Sequence, residues 1–137
     1  AGVSVTASSQ DTSTTQTAAK AVDGSAVGYP TDYTKEWATV GGGAGSWLQL
    51  TWASPVTLSR VVLYDRPNTN DQVTGGTLVF SDGTAVPVTA LTNSGSATTF
   101  NFAAKTVTSV RLQVSSVAAA TENVGLAELE AWGYVAP

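Results

Sequence analysis

The chain of 137 residues contains no cysteine, no histidine and no methionine, and only 12% of it is charged. Without Cys or His, the usual side chains of Ser-His-Asp and Cys-His triads, structural zinc sites and iron–sulfur clusters are missing. Six scattered Lys and Arg, against ten Asp and Glu, form no stripe that could neutralise a phosphate backbone. Nucleic acid and anionic membranes are disfavoured as partners on that ground. No run of about 18 apolar residues is present, so no membrane-spanning helix is expected. The first ten residues, AGVSVTASSQ, lack the basic and apolar regions of a signal peptide. The numbering is therefore expected to begin on a processed or excised piece of a larger protein.

What remains is rich in Ser, Thr, Ala and Gly, with 42% hydrophobic residues. A chain of this length forms one domain, residues 1–137, and buries roughly two-thirds of the surface its unfolded form exposes. It needs neither disulfide nor structural metal to fold. The composition suits a secreted, extracellular module, and the lack of Cys does not oppose this, because disulfides outside the cell are permitted but not obligatory.

The apolar pattern has period two and short reach. It predicts strands at Val3–Thr6, Trp47–Trp52, Val56–Tyr64, Thr77–Phe80, Ala85–Val88, Thr98–Phe102, Val107–Val114 and Leu126–Tyr134. Turn residues separate them at Gly41–Gly45, Ala53-Ser54-Pro55, Asn68–Asp71, Asp82-Gly83 and Asn93-Ser94-Gly95. In TLVFSDGTAVPV, Asp82 and Gly83 together can take the positive φ angles of a tight hairpin turn. Thr17–Val22 is the one helical segment, of barely two turns. An all-β, eight-stranded antiparallel sandwich of the jelly-roll kind follows.

Alternation assigns the faces. In SWLQLTW, Leu48, Leu50 and Trp52 point to the core and Trp47, Gln49 and Thr51 away from it; in SVRLQVSS the core set is Val110, Leu112 and Val114. A Trp within a strand pattern is more often core than ligand platform, because of the area it buries. Trp47, Trp52 and Trp132 are accordingly read as structural, with Trp132 sealing the barrel beneath the termini.

Seven segments in order, AAKAVDG (18–24), EWAT (36–39), SWLQLTW (46–52), SRVVLYDRPN (59–68), TLVFSDGT (77–84), SVRLQV (109–114) and GLAELEAWG (125–133), resemble the discoidin, or coagulation factor five/eight type C, superfamily. The similarity points to family 32 carbohydrate-binding modules and related galactose-binding-like domains. It implies a sandwich that binds sugars through loops at one end, often holds one structural calcium ion, and is appended to a larger secreted enzyme. Asp23 of the AVDG turn and Glu128 of LAELE match the implied calcium positions, with backbone carbonyls around Lys20 and Ser25 completing the set. Calcium takes six to eight oxygens, which such a turn closed by a strand carboxylate can supply. The plainer alternative is that Asp23 starts an Asp-Gly turn and Glu128 is a hydrogen-bonded strand-end carboxylate. The family's Thr two residues before its Trp is replaced here by Lys35, with Thr34 one step early.

By the same resemblance the binding loops are Gly28–Glu36, Asp65–Asp71 and Thr121–Val124. Their candidate ligand residues are Tyr29, Asp32, Tyr33, Glu36, Asp65, Arg66, Asn68, Asp71, Glu122 and Asn123, with Trp37 matching a core position. A pyranose has a flat C–H face suited to a Tyr ring, and hydroxyls suited to the Arg fork or the Asn amide. Alternatively, Asp65 and Arg66 form a loop-bracing ion pair and the Tyr residues cover the sheet end.

A non-catalytic module that binds a glycan or polysaccharide, as a monomer linked to a catalytic domain, is the leading function. The sugar is of galactose or amino-sugar type; the excess of acidic residues in the loops motivates the cationic version. A carboxylate-pair glycosidase using Asp65, Asp71 or Glu122 is disfavoured, because no motif sets two carboxylates across a cleft. A discoidin-type adhesion or protein-binding domain is the other alternative; lipid-binding relatives need apolar and basic loop tips that are lacking here.

Overall fold

Two long strands carry both layers of the protein. A computed structural model describes residues 2–135. Strand β1 (Val3–Ala7) is followed by a 3-10 helix (Ala18–Val22), a 3-10 turn (Tyr33–Lys35) and β2 (Trp37–Ala38). Then come β3 (Trp47–Tyr64), β4 (Val73–Phe80), β5 (Ala85–Val88), β6 (Ala97–Val117), β7 (Gly125–Leu126) and β8 (Glu128–Val135). All pairings of these strands are antiparallel.

The first layer has the order β1-β3-β6-β4-β5, and β8 pairs β3 on the other side of its bend. Residues 48–52 of β3 pair with β1 and residues 47–51 with 109–113 of β6, whereas 56–64 pair with β8 and with 97–107 of β6. The register slips between Thr51 and Val56, and again between Leu58 and Arg60. At such irregularities a strand bends from one sheet into the other. The expected turn at Ala53-Ser54-Pro55 is therefore corrected: the chain runs through it as strand. Pro55 is tolerated because the segment is exposed and lies at the slip, where no ladder bond from its missing N–H is required. Thr98–Phe102 and Val107–Val114 likewise merge into β6. Two short strands that the pattern did not reveal, β2 and β7, make a separate ribbon, so the count of eight holds with different members.

The alternating faces are as expected. Leu48, Leu50, Val110, Leu112 and Val114 are buried, and face Val61, Leu63 and Leu129 of the second layer. Trp37 is fully buried and donates from Nε1 to the Ser9 carbonyl at 2.9 Å. Trp52 packs half-buried against this core, and Trp47 lies outside, under the Arg111 guanidinium at 3.9 Å. Trp132 departs from expectation: it is 49% exposed and seals nothing. On the edge strand β8, Leu129 and Ala131 take the inward positions, which leaves Trp132 on the outer face opposite Arg60.

The hairpin between β4 and β5 also differs. Gly83 alone has a positive φ, 85°, with its N–H bonded to the Phe80 carbonyl and the Phe80 N–H to the Thr84 carbonyl. This is a three-residue loop closed by a glycine bulge, with Asp82 accepting from the Thr84 N–H at 2.9 Å. No helix among the described residues is long and apolar enough to cross a membrane.

Thr15, between β1 and the 3-10 helix, has a φ of 66°, a left-handed conformation that a β-branched side chain resists. Relief of roughly 1 kcal/mol is expected in Thr15→Gly, after the added freedom of the unfolded chain is discounted. Urea denaturation measures it; a less stable variant would show that the Thr15 side chain compensates its own strain.

Candidate functional site

The end of β3 delivers Asp65 and Arg66 into the base of a loop. Asp65 is 1% exposed, and its two oxygens accept the N–H groups of Arg66 and Val73, each at 2.8 Å. One carboxylate thus pins both ends of the 65–73 segment. Arg66, also buried, reaches across to the other loops. Its Nε donates to Glu36, and its Nη1 donates to Asp71 at 2.7 Å and to the Asn123 carbonyl at 2.7 Å. Glu36 accepts the Tyr29 N–H at 2.7 Å, and Asp71 accepts the Glu122 N–H at 2.7 Å and Asn68 Nδ2 at 3.3 Å. Asn123 Oδ1 accepts the Gly41 N–H at 2.8 Å.

A single guanidinium therefore ties together the three loops that the sequence singled out. The alternative of an Asp65–Arg66 ion pair is corrected in its partners, because Arg66 pairs with Glu36 and Asp71 while Asp65 binds backbone. Two glycines make the approach possible. A Cβ on Gly125 would lie 2.7 Å from Arg66 Cδ and against the Trp37 carbonyl, and one on Gly28 would lie 2.9 Å from Pro67 Cδ. Neither was recognised in the sequence, since a glycine required by close approach looks like any turn glycine.

The ten candidate residues divide by burial. Glu36, Asp65, Arg66 and Asp71 form a closed framework. Tyr29 and Tyr33 are 47% and 49% exposed; Asp32, Asn68 and Asn123 are half-buried and Glu122 is exposed. Three of the five acidic residues expected to colour these loops are thus withdrawn from the surface. Burial, opposed by the Arg66 charge and by hydrogen bonds, raises the Glu36 carboxyl, and burial pushes Asp65 up to about 7.

The implied calcium residues also meet. Asp23 follows the 3-10 helix and accepts the Ser25 N–H at 2.9 Å, while Glu128 opens β8 and accepts the Gly24 N–H at 3.2 Å. Burial, reinforced by the Asp23 carboxylate beside it, pushes Glu128 up to about 8. Among the described residues no third His, Cys, Asp or Glu joins them. Two carboxylates in a turn form a hard oxygen set, which fits calcium rather than a transition metal. Lys20 and Ser25 flank the turn, and any contribution of theirs would come from backbone carbonyls.

A family model described as "Domain of unknown function (DUF7402)" matches residues 1–132. No curated protein matches the chain. Among solved structures, the chain is similar to the Clostridium perfringens module CpGH89CBM32-5, in complex with GalNAc-β-1,3-galactose, with a TM-score of 0.74 and 17% identity over 96% of this chain and 95% of that one. Chitosan-binding module 2 of a chitosanase/glucanase from Paenibacillus sp. IK-5, in complex with chitotriose, gives 0.72 and 25% identity over 95% of each chain. Truncated AlyQ, with CBM32 and alginate lyase domains, gives 0.68 and 16% identity over 98% of this chain and 32% of that one. The fold is that of family 32 carbohydrate-binding modules, the discoidin or galactose-binding-like sandwich.

A carboxyl raised on folding favours the protonated native state, so its contribution is present below the unfolded value near 4 and is lost as pH rises through the folded value. Asp65 and Glu36 are therefore expected to make the domain less stable at pH 8 than at pH 5, with the Asp65 carboxyl carbon titrating near 7 by NMR. Arg66→Met, which leaves Glu36 and Asp71 buried without their cation, is expected to remove about 3–5 kcal/mol at pH 8 and less at pH 5. Equal losses at the two pH values would show that Glu36 does not titrate with the fold.

Proposed function

The chain belongs to the DUF7402 family, and from that premise and its fold we propose that it is a non-catalytic carbohydrate-binding module. The observation that carries this reading is the pair of half-exposed rings, Tyr29 and Tyr33, on a loop tied through Glu36 to Arg66, the residue that also holds the loops of Asn68, Glu122 and Asn123. A pyranose presents a C–H face to such rings, and its hydroxyls suit the amides and carboxylates at their side. Loops locked beforehand lose less freedom when a ligand is bound. The solved relatives are described with GalNAc-β-1,3-galactose and with chitotriose, which supports a pyranoside ligand of galactose or amino-sugar type. The amino-sugar version now rests on Asp32 and Glu122, the two loop carboxylates that remain accessible.

Catalysis is not favoured by the site. Asp65 and Asp71, two of the three carboxylates considered for a glycosidase, are buried and already occupied. Glu122 has no free partner among them across which to hold a glycosidic bond. The module would instead keep a linked, secreted catalytic domain near its polysaccharide, an effect of local concentration that needs only weak affinity per site.

On a glycan array followed by calorimetry, binding to a galactose- or amino-sugar-terminated glycan is expected, with Tyr33→Ala weakening it about tenfold, or ~1.4 kcal/mol. Failure to bind any glycan, with capture of a protein instead, would replace this reading by the adhesion alternative. Release of reducing ends by the isolated domain would make it an enzyme.

We further propose that Asp23 and Glu128 hold a structural calcium ion. Bound only by the folded chain, it would stabilise that state by mass action. EDTA is expected to lower the melting temperature of the parent and to leave Asp23→Asn unchanged. A melting curve indifferent to EDTA, with no metal in the purified protein, discards the site.

A further inference from the structure

Among the described residues, β1 and β8 each pair only with β3, and between them runs a groove of about 380 Å³ lined by Val3, Leu50, Trp52, Leu129, Glu130 and Trp132. A second cavity of about 230 Å³ continues from Trp52 to Tyr134. Trp132 and Tyr134, 49% and 64% exposed, share the outer face of β8 two residues apart, hence about 7 Å from each other.

Trp132 is held in position. Its Nε1 donates to Glu130 at 2.7 Å, and the Arg60 guanidinium lies 4.6 Å from its ring centre. One face of the ring is thereby covered and the rest left to solvent. Strand register places Trp132, Arg60 and the exposed Asn101 in one row across the second sheet. An indole held at its edge by a carboxylate and on one face by a guanidinium combines a free stacking surface with a polar rim. A partner apolar throughout would bury the half-exposed charges at the rim of the ring, whereas a pyranose offers a C–H face to the indole and hydroxyls to that rim.

We propose that this edge cleft is a second carbohydrate subsite, in which a neutral pyranose unit stacks on the uncovered face of Trp132 and the next unit meets Tyr134. Strand register puts it about 20–30 Å along the chain direction of β3 from Arg66, so it contacts a separate stretch of polysaccharide. Arg60 and Glu130 act as positioning residues for the ring. The inference rests on the carbohydrate-binding reading of the loops and adds a surface to it.

The test uses the indole N–H signals of the four Trp, assigned by single Trp→Phe variants and followed by NMR during titration with lactose and with triacetylchitotriose. In a Tyr29→Ala/Tyr33→Ala background, the Trp132 signal is expected to shift saturably with at least one of the sugars. Tyr134→Ala in that background is expected to weaken the interaction read at Trp132 about tenfold while the circular dichroism spectrum is kept. A Trp132 signal unmoved by a sugar that shifts the loop resonances of the parent overturns the subsite and leaves the loop reading intact. A Trp132 shift that disappears with Tyr29 and Tyr33 also overturns it, since the cleft would then have no affinity of its own. If neither sugar moves the Trp132 signal or the loop resonances, the subsite for neutral sugars falls, and the loop reading is left to its cationic amino-sugar version. Shifts that grow with protein concentration in the absence of sugar would assign the face to self-association instead.

Discussion

The Arg66 guanidinium is where three irregular segments of chain become one surface. The two sheets can pack through their apolar faces without it, but the loops at their end have no ladder to hold them. Arg66 gives each loop one bond: Glu36 from the first, Asp71 from the second and the Asn123 carbonyl from the third. A buried ion cluster is a poor source of net stability, because desolvation offsets much of the attraction. Its value lies in geometry. The planar fork of an Arg fixes the directions of its donors, as a flexible ammonium would not, and each direction here is assigned to a different loop.

The topology explains why the loops are within reach. Arg66 stands two residues past the end of β3, and β8 begins opposite that same end, with Glu128 paired to Tyr64 and the Ala127 N–H bonded to the Tyr64 carbonyl. The segment leading into β8 therefore lands on Arg66. The β2–β7 ribbon does the same for the first loop, since pairing Trp37 with Leu126 brings the preceding Glu36 under the guanidinium. Two residue pairs of ribbon contribute little burial, yet they set the position of a charge.

What could be read from the sequence follows from the range of the forces involved. Strand faces were legible, because burial on one side of a sheet imposes period two on neighbouring residues, as in Val110, Leu112 and Val114. The loops and Arg66 were reached through collinear resemblance. The burial of Glu36 was not legible, since it depends on a partner 30 residues away and a glycine at position 125 that admits the Arg66 stem. Nor was the passage of β3 through Pro55, where a proline that normally ends a strand sits at a bend between sheets. Trp132 was misassigned because alternation gives the relative faces of a strand but not which face is covered. An edge strand at the open side of a sandwich carries large side chains outward as readily as inward.

These placements decide what kind of recognition the protein can support. With Glu36 and Asp71 drawn inward around one Arg and Asp65 buried on backbone N–H groups, the loop surface keeps aromatic rings, amides and few charges. Long-range attraction, which salt would screen, is therefore a minor part of any encounter there. Short-range stacking and hydrogen bonding are left to do the selecting, and both require rings and amides held at fixed positions before the ligand arrives. The structure meets that requirement twice by the same device. The backbone of Tyr29 is fixed through its N–H by Glu36, which Arg66 holds; the ring of Trp132 is fixed at its edge by Glu130 and on one face by Arg60. In both places a carboxylate and a guanidinium are committed to the framework so that an aromatic ring can be presented to the solvent.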